Sequence, residues 1–556
     1  MHRLVSRRSR GGALVLGAAL LSTGIGSCTK SPTMMPAASA VVYDPPAPTL
    51  RRLTQAQFKN AIADVFGSDV VVAGTLEPDT AIEDFFSVGA GETSISSRGV
   101  SQYESIAYDV ASQVLKSDAH RAAILTCQPT GPGDADCAGK ALGALGKRLW
   151  RRPLTDEEAA EIVKIATQAG TTLADFNQGL QFGIAALLQS PNFLFRSEAG
   201  APEATPAAGQ PATAKLTGWE LAARLSFFLW NGPPDDALLA AAAAGTLDTA
   251  DGVAAQVTRM MGSPLARRGL RNFATEWLAL WQLDDLVKDP KVFTQISPDV
   301  GPAAREETLQ DIEHIAFDLD ADFRDLFTTR DTYINRKLAS IYGVRAPSTD
   351  GFALATLPMD QPRRGLLGQV ATLAVGAHPT TSSPTLRGKF IRIVLLCDRV
   401  PPPPANLNVA LPPVSPDAKT LRMRLTSHAS IAACSSCHHL MDPIGLGLEN
   451  FDGLGVYRPT DNDAAIDASG DLDGKAFRDA SDLAQVIHDH PNVGPCLARR
   501  LFRYAVGHLE SIGEEAEIQH LADGYAAAGY RMQKLMIAIA TSDAFRRTGL
   551  TTVASN

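Results

Sequence analysis

The stretch KLTGWELAARLSFFLWNGPPD, residues 215–235, has the pattern of a helix start. Thr217 stands before an apolar run and Glu220 follows three positions later, so each side chain can bond the other's backbone N–H in a capping box. The same pairing recurs at two other places, Thr54 with Gln57 and Thr155 with Glu158. These three starts predict a chain built mainly from helices.

The composition favours a large helical protein. The chain has 556 residues, too many for one compact core, so several domains are expected. Its formal net charge of -9 argues against a general nucleic-acid binder, because such proteins present a basic face to phosphates. Ala and Leu are frequent and β-branched runs are scarce. We therefore expect an all-α fold class of several helical domains in tandem, with a small β-hairpin in residues 457–477.

A second stretch predicts part of the core. Residues 266–286, ARRGLRNFATEWLALWQLDDL, place large apolar side chains on one helical face, namely Leu270, Phe273, Trp277, Leu280 and Trp281. Aromatic residues at this spacing belong to a core far more often than to a sugar-binding strip. By contrast, the Ala- and Pro-rich residues 198–215 predict a linker between domains.

The N-terminus predicts export. Residues 1–12 are basic, and the apolar residues 13–26 have the length of a signal peptide and are too short to span a bilayer comfortably. The run ends in IGSC, the pattern of a bacterial lipoprotein signal in which Cys28 is lipidated; an ordinary secretory signal is the alternative. Residues 29–49 then form a flexible tether. We expect a periplasmic or outer-membrane lipoprotein that meets the membrane only through its lipid anchor.

Export changes how the cysteines are interpreted, since disulfides persist outside the cytosol. Apart from Cys28 and the two cysteines of the motif described next, four of the seven cysteines remain. Cys127 and Cys137 flank a turn-rich loop and are predicted to bond. Cys397 with Cys496 follows by elimination, and free buried thiols are the alternative for both pairs.

The stretch IAACSSCHHLMDPIGLGLENFDGLG, residues 431–455, contains the motif C-x-x-C-H at Cys434, Cys437 and His438. In attachment of haem c, two thiols one helical turn apart add across the two vinyl groups of one porphyrin, and the histidine supplies an axial nitrogen to iron. With 7 Cys and 11 His in the chain, chance gives about 0.002 such motifs. The motif therefore predicts one covalent haem c.

Two other interpretations of the motif stay open. A structural zinc site would use Cys434, Cys437 and either His438 or His439, but it needs a fourth ligand, and no second C-x-x-C or H-x-x-x-H occurs in the sequence. A disulfide between the two cysteines is the other alternative. Its usual redox form belongs to a thioredoxin βαβ pattern, which is absent from this sequence.

The sequence does not choose the second axial ligand of the iron. His439 and Met441 are too close to His438 to reach the opposite face of a haem. More distant candidates are His428, His508, Met532 and Met536. A methionine ligand would raise the potential and suit electron transfer, whereas an open position would suit chemistry on oxygen or a peroxide.

The residues that follow the motif also carry expectations. Asp442 and Pro443 are predicted to turn the chain beneath the haem. Glu449, Asn450 and Asp452 are predicted to hydrogen-bond the loop that comes after them, and solvated loop positions are the alternative.

Several stretches of the chain resemble a known family. The segment CSSCHHLMDPIGLGLENFDGLGVYR, together with RRGLL, SSPTLRGK and PPPP before it, is similar to planctomycete-type cytochrome c-like domains. RRLTQAQFKNAI, RRPLTDEE, LTGWELAARLSFFLW and LFRYAVGH with SDAFR resemble their companion domains of unknown function. These exported multidomain proteins are best known from planctomycetes and myxobacteria. The resemblance implies a c-type haem and a C-terminal cytochrome c-like helical module, and it raises the standing of His428.

The sequence predicts five helical domains after an N-terminal signal and tether. In order, these segments are a lipoprotein signal at 1–28, a tether at 29–49, helical domains at 50–115, 116–200 and 216–345, a cytochrome c-like domain at 360–460 and a helical domain at 475–550. We expect electron transfer or an undefined oxidative reaction at the cell envelope, with an unknown redox partner or envelope protein. The alternatives are a non-catalytic module that binds polysaccharide or protein, and a zinc-stabilised scaffold.

Overall fold

The computed structural model describes residues 43–203, 211–401, 413–429 and 432–550, without the side chains of 427–434 and 436. The predicted lipoprotein signal, Cys28 and most of the predicted tether lie outside these ranges. Within them the chain is mainly helical with short antiparallel strands, which confirms the helical expectation. No helix in the described ranges is both long and apolar enough to cross a membrane.

The N-terminal part of the chain alternates helices with loops. Its helices are α1 Gln55–Phe66, α2 Phe86–Gly89, α3 Ser97–Lys116, α4 Asp118–Ile124, α5 Ala135–Trp150, α6 Asp156–Leu173, α7 Phe176–Gln189 and α8 Pro191–Leu194. Its strands are β1 Arg51–Arg52 and β2 Phe195–Arg196, which pair antiparallel. The two strands tie the start of α1 to the end of α8.

The central part begins after two strands, β3 Ala201–Pro202 and β4 Thr213–Lys215. Its helices are α9 Gly218–Trp230, α10 Asp236–Ala243, α11 Ala250–Met261, α12 Leu265–Trp277, α13 Val300–Glu313 and α14 Arg336–Tyr342. A hairpin-like pair of strands, β5 Asp331–Ile334 and β6 Ala353–Thr356, brackets α14.

The C-terminal part contains the C-x-x-C-H motif. Its helices are α15 Gly365–Gly368, α16 Val370–Val375, α17 Pro384–Phe390, α18 Leu421–Ala429, α19 Ala432–Gly445, α20 Ala480–His488, α21 Val493–Val506, α22 Glu515–Ala527 and α23 Met532–Thr541. Its strands are β7 Thr460–Asp461, β8 Ala464–Ala465, β9 Gly470–Leu472, β10 Lys475–Phe477 and β11 Arg547–Gly549. Where one small hairpin was predicted, β7 pairs with β8 and β9 with β10, so residues 457–477 contain two.

All three predicted capping boxes are present. In each box the threonine side chain accepts the backbone N–H of the residue three positions later, and the side chain of that residue accepts the backbone N–H of the threonine. The three threonines are Thr54, Thr155 and Thr217. Each box satisfies donors that the first turn of a helix would otherwise leave without partners. Short-range chemistry therefore sets these three helix starts.

Two large cores lie in the described ranges. The smaller one is formed by residues 53–194 and is completed by Phe227 of α9. The larger one takes side chains from the segments 216–345, 360–460 and 475–550, and from Phe85 and Val88 of the N-terminal part. The three later segments thus share one core instead of each having its own.

The predicted apolar face around α12 is buried except at Trp281. Leu270, Phe273, Trp277 and Leu280 are at most 4 % exposed. The α-helix ends at Trp277, and Ala279 takes a left-handed conformation with φ of 50°. This break turns Trp281 away from the face, so its ring packs on Phe86 and stays partly exposed.

The described parts of the predicted linker 198–215 and of the predicted tether 29–49 are packed against the rest of the chain. In the predicted linker 198–215, β4 lies between β3 and β11 in a three-stranded sheet, with Lys215 paired to Arg547. The end of the predicted tether is also fixed, because the Tyr43 hydroxyl donates to the carbonyl of Ala544 at 3.1 Å. Backbone pairing with a segment over three hundred residues away is invisible in local composition.

Candidate functional site

Helix α19 carries the whole C-x-x-C-H motif. Residues three and four positions apart lie on one side of a helix, so Cys434, Cys437 and His438 share a face of α19. The side chains of Cys434 and of His428, at the end of α18, lie outside the described atoms. Cys437 is half-buried and takes part in neither of the two disulfides found among the described residues. The backbone thus places the two cysteines one helical turn apart, next to the histidine.

The ring of His438 is oriented by a hydrogen-bonded carboxylate. Its Nδ1 lies 2.8 Å from Oδ2 of Asp442, four residues later on the same helix. The Thr385 hydroxyl on α17 donates to the other oxygen of Asp442 at 2.7 Å. A carboxylate accepts, so Nδ1 carries the proton, and in the neutral ring the lone pair would be on Nε2. This is the arrangement that prepares a histidine to bind a metal, because the carboxylate fixes the ring and raises the basicity of the ligating nitrogen.

The predicted turn at Asp442 and Pro443 is wrong. Helix α19 continues through Pro443 and ends at Gly445. Asp442 is 6 % exposed and serves as the partner of His438 instead. The four-residue spacing of His438 and Asp442 on a helix was the signal in the sequence, since such pairs face each other.

Helix α19 is held by close contact with α17 at two glycines. A Cβ atom on Gly388 would stand 1.9 Å from the carbonyl oxygen of Met441, and one on Gly445 would stand 1.8 Å from the carbonyl oxygen of Pro384. Backbone atoms cannot move aside as a flexible side chain can. The bare glycines therefore let α17 bring Thr385 within reach of Asp442.

We expect Gly388→Ala to destabilise the protein by about 1–3 kcal/mol, because the new methyl group would overpack the contact of α17 with α19. Gly524→Ala is the matched control: that glycine lies in α22, where an added methyl group would have no neighbouring atom within 4 Å. The control should be neutral or more stable by up to about 1 kcal/mol, since Ala is the better helix former. Urea unfolding followed by circular dichroism measures both, and equal stability of the two variants would contradict the close approach.

Arg387, the neighbour of Gly388 on α17, hydrogen-bonds the loop after α19 from the protein interior. Its side chain is fully buried and donates to four backbone carbonyls, those of Leu373, Leu448, Phe451 and Asp452. Burial lowers the pKa of Arg387 to about 10. Arg387 belongs to the SSPTLRGK segment, one of the segments that resemble the known family. Its role in the structure is to hold the loop that follows α19.

The loop residues after the motif make the predicted hydrogen bonds. Oδ1 of Asp452 accepts the backbone N–H groups of residues 454, 455 and 456 at 2.8–2.9 Å. Asn450 donates to the carbonyl of Arg458 at 3.1 Å. Glu449, which is 1 % exposed, accepts from the Arg458 guanidinium and from the Ser382 hydroxyl, and burial raises its pKa. These contacts build a rigid turn beyond α19.

The structure places the candidates for a second axial ligand in several environments. Met532 and Met536 are 1 % exposed and belong to the larger core. His508 has its Nε2 at 3.0 Å from Oε1 of Glu514. Met441 is buried at 6 %, whereas His439 is exposed. The side chain of His428 lies outside the described atoms.

Among the described residues, no group of three or more His, Cys, Asp or Glu side chains is arranged to hold a metal ion. The side chains of Cys434 and His428 are not among them. A haem iron differs from a zinc ion in that the porphyrin supplies four of its ligands, so one protein histidine is enough to begin a site. His438 with its Asp442 partner fits that requirement.

The structure also contains a pair of buried carboxyl groups that the sequence did not predict. Glu307 and Asp311 lie one turn apart on α13, and the Thr332 hydroxyl is 2.7 Å from an oxygen of each. Burial raises the pKa of both, and the charge of Asp311 raises that of Glu307 further. Tyr342 donates to the other oxygen of Glu307, and the backbone N–H of Tyr333 donates to the other oxygen of Asp311. Gln369 donates to the same Asp311 oxygen as Thr332. The pair is enclosed by its own donors, which indicates a structural role.

Comparison with known proteins gives a match along most of the chain. Five domain families, each described as a protein of unknown function, match in the order DUF1587 at 51–116, DUF1595 at 137–198, DUF1592 at 216–344, DUF1588 at 363–461 and DUF1585 at 473–545. The chain contains these five domains. Neither a curated protein nor a solved structure matches it. The C-x-x-C-H motif falls in the DUF1588 match, and the Cys397–Cys496 bond joins that region to DUF1585.

Proposed function

We propose that this chain is an exported, lipid-anchored c-type haem protein that acts in electron transfer or in an oxidative reaction at the cell envelope. The observation that carries the proposal is that Nδ1 of His438 is held by Asp442, on the same helix as Cys434 and Cys437. Asp442 is held in turn by Thr385 of α17. This set offers what haem c needs from a protein, which is two thiols a helical turn apart and an oriented axial histidine.

The disulfides of the described chain also support the proposal. The disulfides Cys127–Cys137 and Cys397–Cys496 suit a protein that folds outside the cytosol, where haem c is also attached.

The residues of the proposed haem site have separate roles: Cys434 and Cys437 would bind the porphyrin edge, and His438 would ligate iron. Asp442 would keep a proton on Nδ1 of His438 and fix the plane of the ring. When bound, the haem would supply the one-electron chemistry.

The decisive test is a denaturing gel stained for haem, run on protein made in a host competent in c-type maturation. Wild type should keep haem on the gel, because thioether bonds survive denaturation. The double variant Cys434→Ser with Cys437→Ser should lose the stain. The control Ser435→Ala, which keeps both cysteines and their spacing, should retain it. Wild-type protein without haem would refute the proposal, and a zinc content of one ion per chain would favour the scaffold alternative.

A spectroscopic experiment examines the axial positions. Asp442→Asn should keep covalent haem but weaken the hydrogen bond that Nδ1 of His438 donates, which raises the reduction potential and shifts the spectrum of the reduced protein. Carbon monoxide added to reduced wild type would bind if the second axial position is open. Unchanged potential and spectrum in Asp442→Asn would show that His438 is not the iron ligand.

A further inference from the structure

A cavity of about 310 Å³ lies where three of the matched regions meet, apart from the C-x-x-C-H motif. Its walls come from the DUF1587 region at Asp84, from residues 278–282 in the DUF1592 region and from residues 371–394 in the DUF1588 region. Most of the lining is apolar, namely Leu278, Leu280, Val375, Phe390, Ile393 and Val394. The volume is at the small end of the range for ligand pockets, which points to a small molecule.

Two opposite charges line this cavity without pairing. Asp84 contributes a half-buried carboxyl and Lys389 of α17 an exposed ammonium group. In the described part of the chain neither side chain has a hydrogen bond or an ion pair with another residue. Thr372 and Gln282 add two further polar groups to the lining. A few convergent polar groups on apolar walls are the mark of a binding site.

A strained turn holds Asp84 at the cavity. Ile82 and Phe85 exchange two backbone hydrogen bonds, with N–O distances of 3.1 and 2.9 Å. Between them, Glu83 and Asp84 have φ of 50° and 69°. Two positive φ values make a two-residue turn of type I′, which strongly favours Asn-Gly over Glu-Asp. Strain of this kind collects at functional sites, and here it places the two carboxylates toward two different cavities.

The positive charges around Asp84 oppose the effect of burial on its carboxyl group. Burial raises the pKa of Asp84, while Arg500, Lys389 and Arg503 oppose that rise and Glu83 adds to it. Arg500 is already bonded to the carbonyl of Ile393 at 2.7 Å, so it acts on Asp84 only through space. None of these cations bonds directly to Asp84 among the described residues, which leaves its carboxyl group open to a ligand cation.

We propose that this cavity binds a small zwitterion with an apolar body, of the class of the hydrophobic α-amino acids. The ligand's ammonium group would meet Asp84, its carboxylate would meet Lys389, and its side chain would lie on Leu280, Val375 and Phe390. A ligand with a single charge would leave one of the two protein charges without a partner. A zwitterion satisfies both and fills the apolar remainder. The proposal is independent of haem attachment.

Isothermal titration calorimetry on the full mature chain with L-leucine tests the proposal. L-Leucine should bind at least tenfold more tightly than isocaproate, which lacks the ammonium group, and than isopentylamine, which lacks the carboxylate, because each loses one charged hydrogen bond. If either compound binds as tightly as L-leucine, or if L-leucine does not bind, the proposal is wrong.

Two substitutions locate the binding in this cavity. Asp84→Asn keeps a residue that tolerates positive φ, and Lys389→Gln changes an exposed side chain, so both should fold. Each should weaken L-leucine binding at least tenfold. Glu83→Gln is the matched control, because Glu83 lies in the same turn but lines the other cavity. Unchanged affinity in both Asp84→Asn and Lys389→Gln would place any binding elsewhere and overturn the assignment.

Discussion

Replacing Glu198 by glutamine should lower the free energy of unfolding by about 3–5 kcal/mol, the usual cost of removing one partner from a buried ion pair. Glu198 is 2 % exposed and lies among three arginines that are also buried, Arg51, Arg196 and Arg224. Its Oε2 accepts from Nε of Arg224 at 2.7 Å and pairs with Arg51. Glutamine keeps the shape of the side chain but leaves three buried guanidinium groups without their counter-charge.

The cluster around Glu198 also joins distant parts of the chain. Arg51 donates to the carbonyl of Val506 at 2.8 Å, and Arg224 donates to the carbonyls of Phe545 and Arg547 at 3.0 and 3.1 Å. These bonds link the first matched region to the last through one carboxylate. Loss of Glu198 should therefore weaken the whole molecule and not one helix.

The same residue gives a pH dependence of known sign. Burial alone would raise the pKa of Glu198, but Arg224, Arg51 and Arg196 outweigh burial and lower it to about 2 from its ordinary 4.5. A folded-state pKa below the unfolded one means that the ionised carboxylate stabilises the fold. That contribution, ~3 kcal/mol, is complete above the ordinary value and is lost as the pH falls toward about 2. Between these values the stability of wild type should fall more steeply than that of Glu198→Gln.

Glu203→Gln is the control for the effect of burial. Glu203 also pairs with an arginine, Arg547, at 3.1 Å, but both side chains are about 30 % exposed. Exposed pairs contribute little, so this variant should lose less than about 1 kcal/mol. Urea unfolding at neutral and acidic pH measures both variants. Equal losses in Glu198→Gln and Glu203→Gln would show that the buried cluster is not what stabilises the protein.

Local sequence chemistry predicted the parts of this fold that depend on near neighbours. The capping boxes at Thr54, Thr155 and Thr217 could be predicted because all their partners lie within three residues. The aromatic face of α12 was predicted for the same reason, and the prediction failed at Trp281 because Ala279 leaves the helical conformation. A helical period carries no information about where the helix ends.

Long-range features were out of reach. Arg224 and Glu198 are 26 residues apart and Arg51 is far from both, so only the fold shows that one carboxylate serves them all. Local composition made residues 198–215 a linker, although β4 lies inside a sheet. For the candidate site, spacing predicted the C-x-x-C-H helix. The role of Asp442 was misjudged because Pro443 suggested a turn, yet the helix runs on past it.

Removing each disulfide separately should lower the free energy of unfolding by different amounts. The bond Cys397–Cys496 closes a separation of 99 residues, and Cys127–Cys137 closes one of 10. Loop-closure entropy in the unfolded chain predicts stabilisation of about 5 kcal/mol for the first and about 3 kcal/mol for the second. The paired serine variants of each bond should therefore differ by roughly 2 kcal/mol.

Urea unfolding of the two serine pairs gives the comparison directly, and their m-values show whether the unfolded state has expanded, as loss of a cross-link requires. The longer bond has a second consequence, because it joins the segment after α17 to α21 across the larger core. If that link holds the larger core together, loss of the Cys397–Cys496 bond should also weaken the packing of α19 against α17. The Gly388→Ala substitution would then cost less in that background than in wild type. Simple addition of the two losses would mean that the disulfide stabilises the protein only by restricting the unfolded chain.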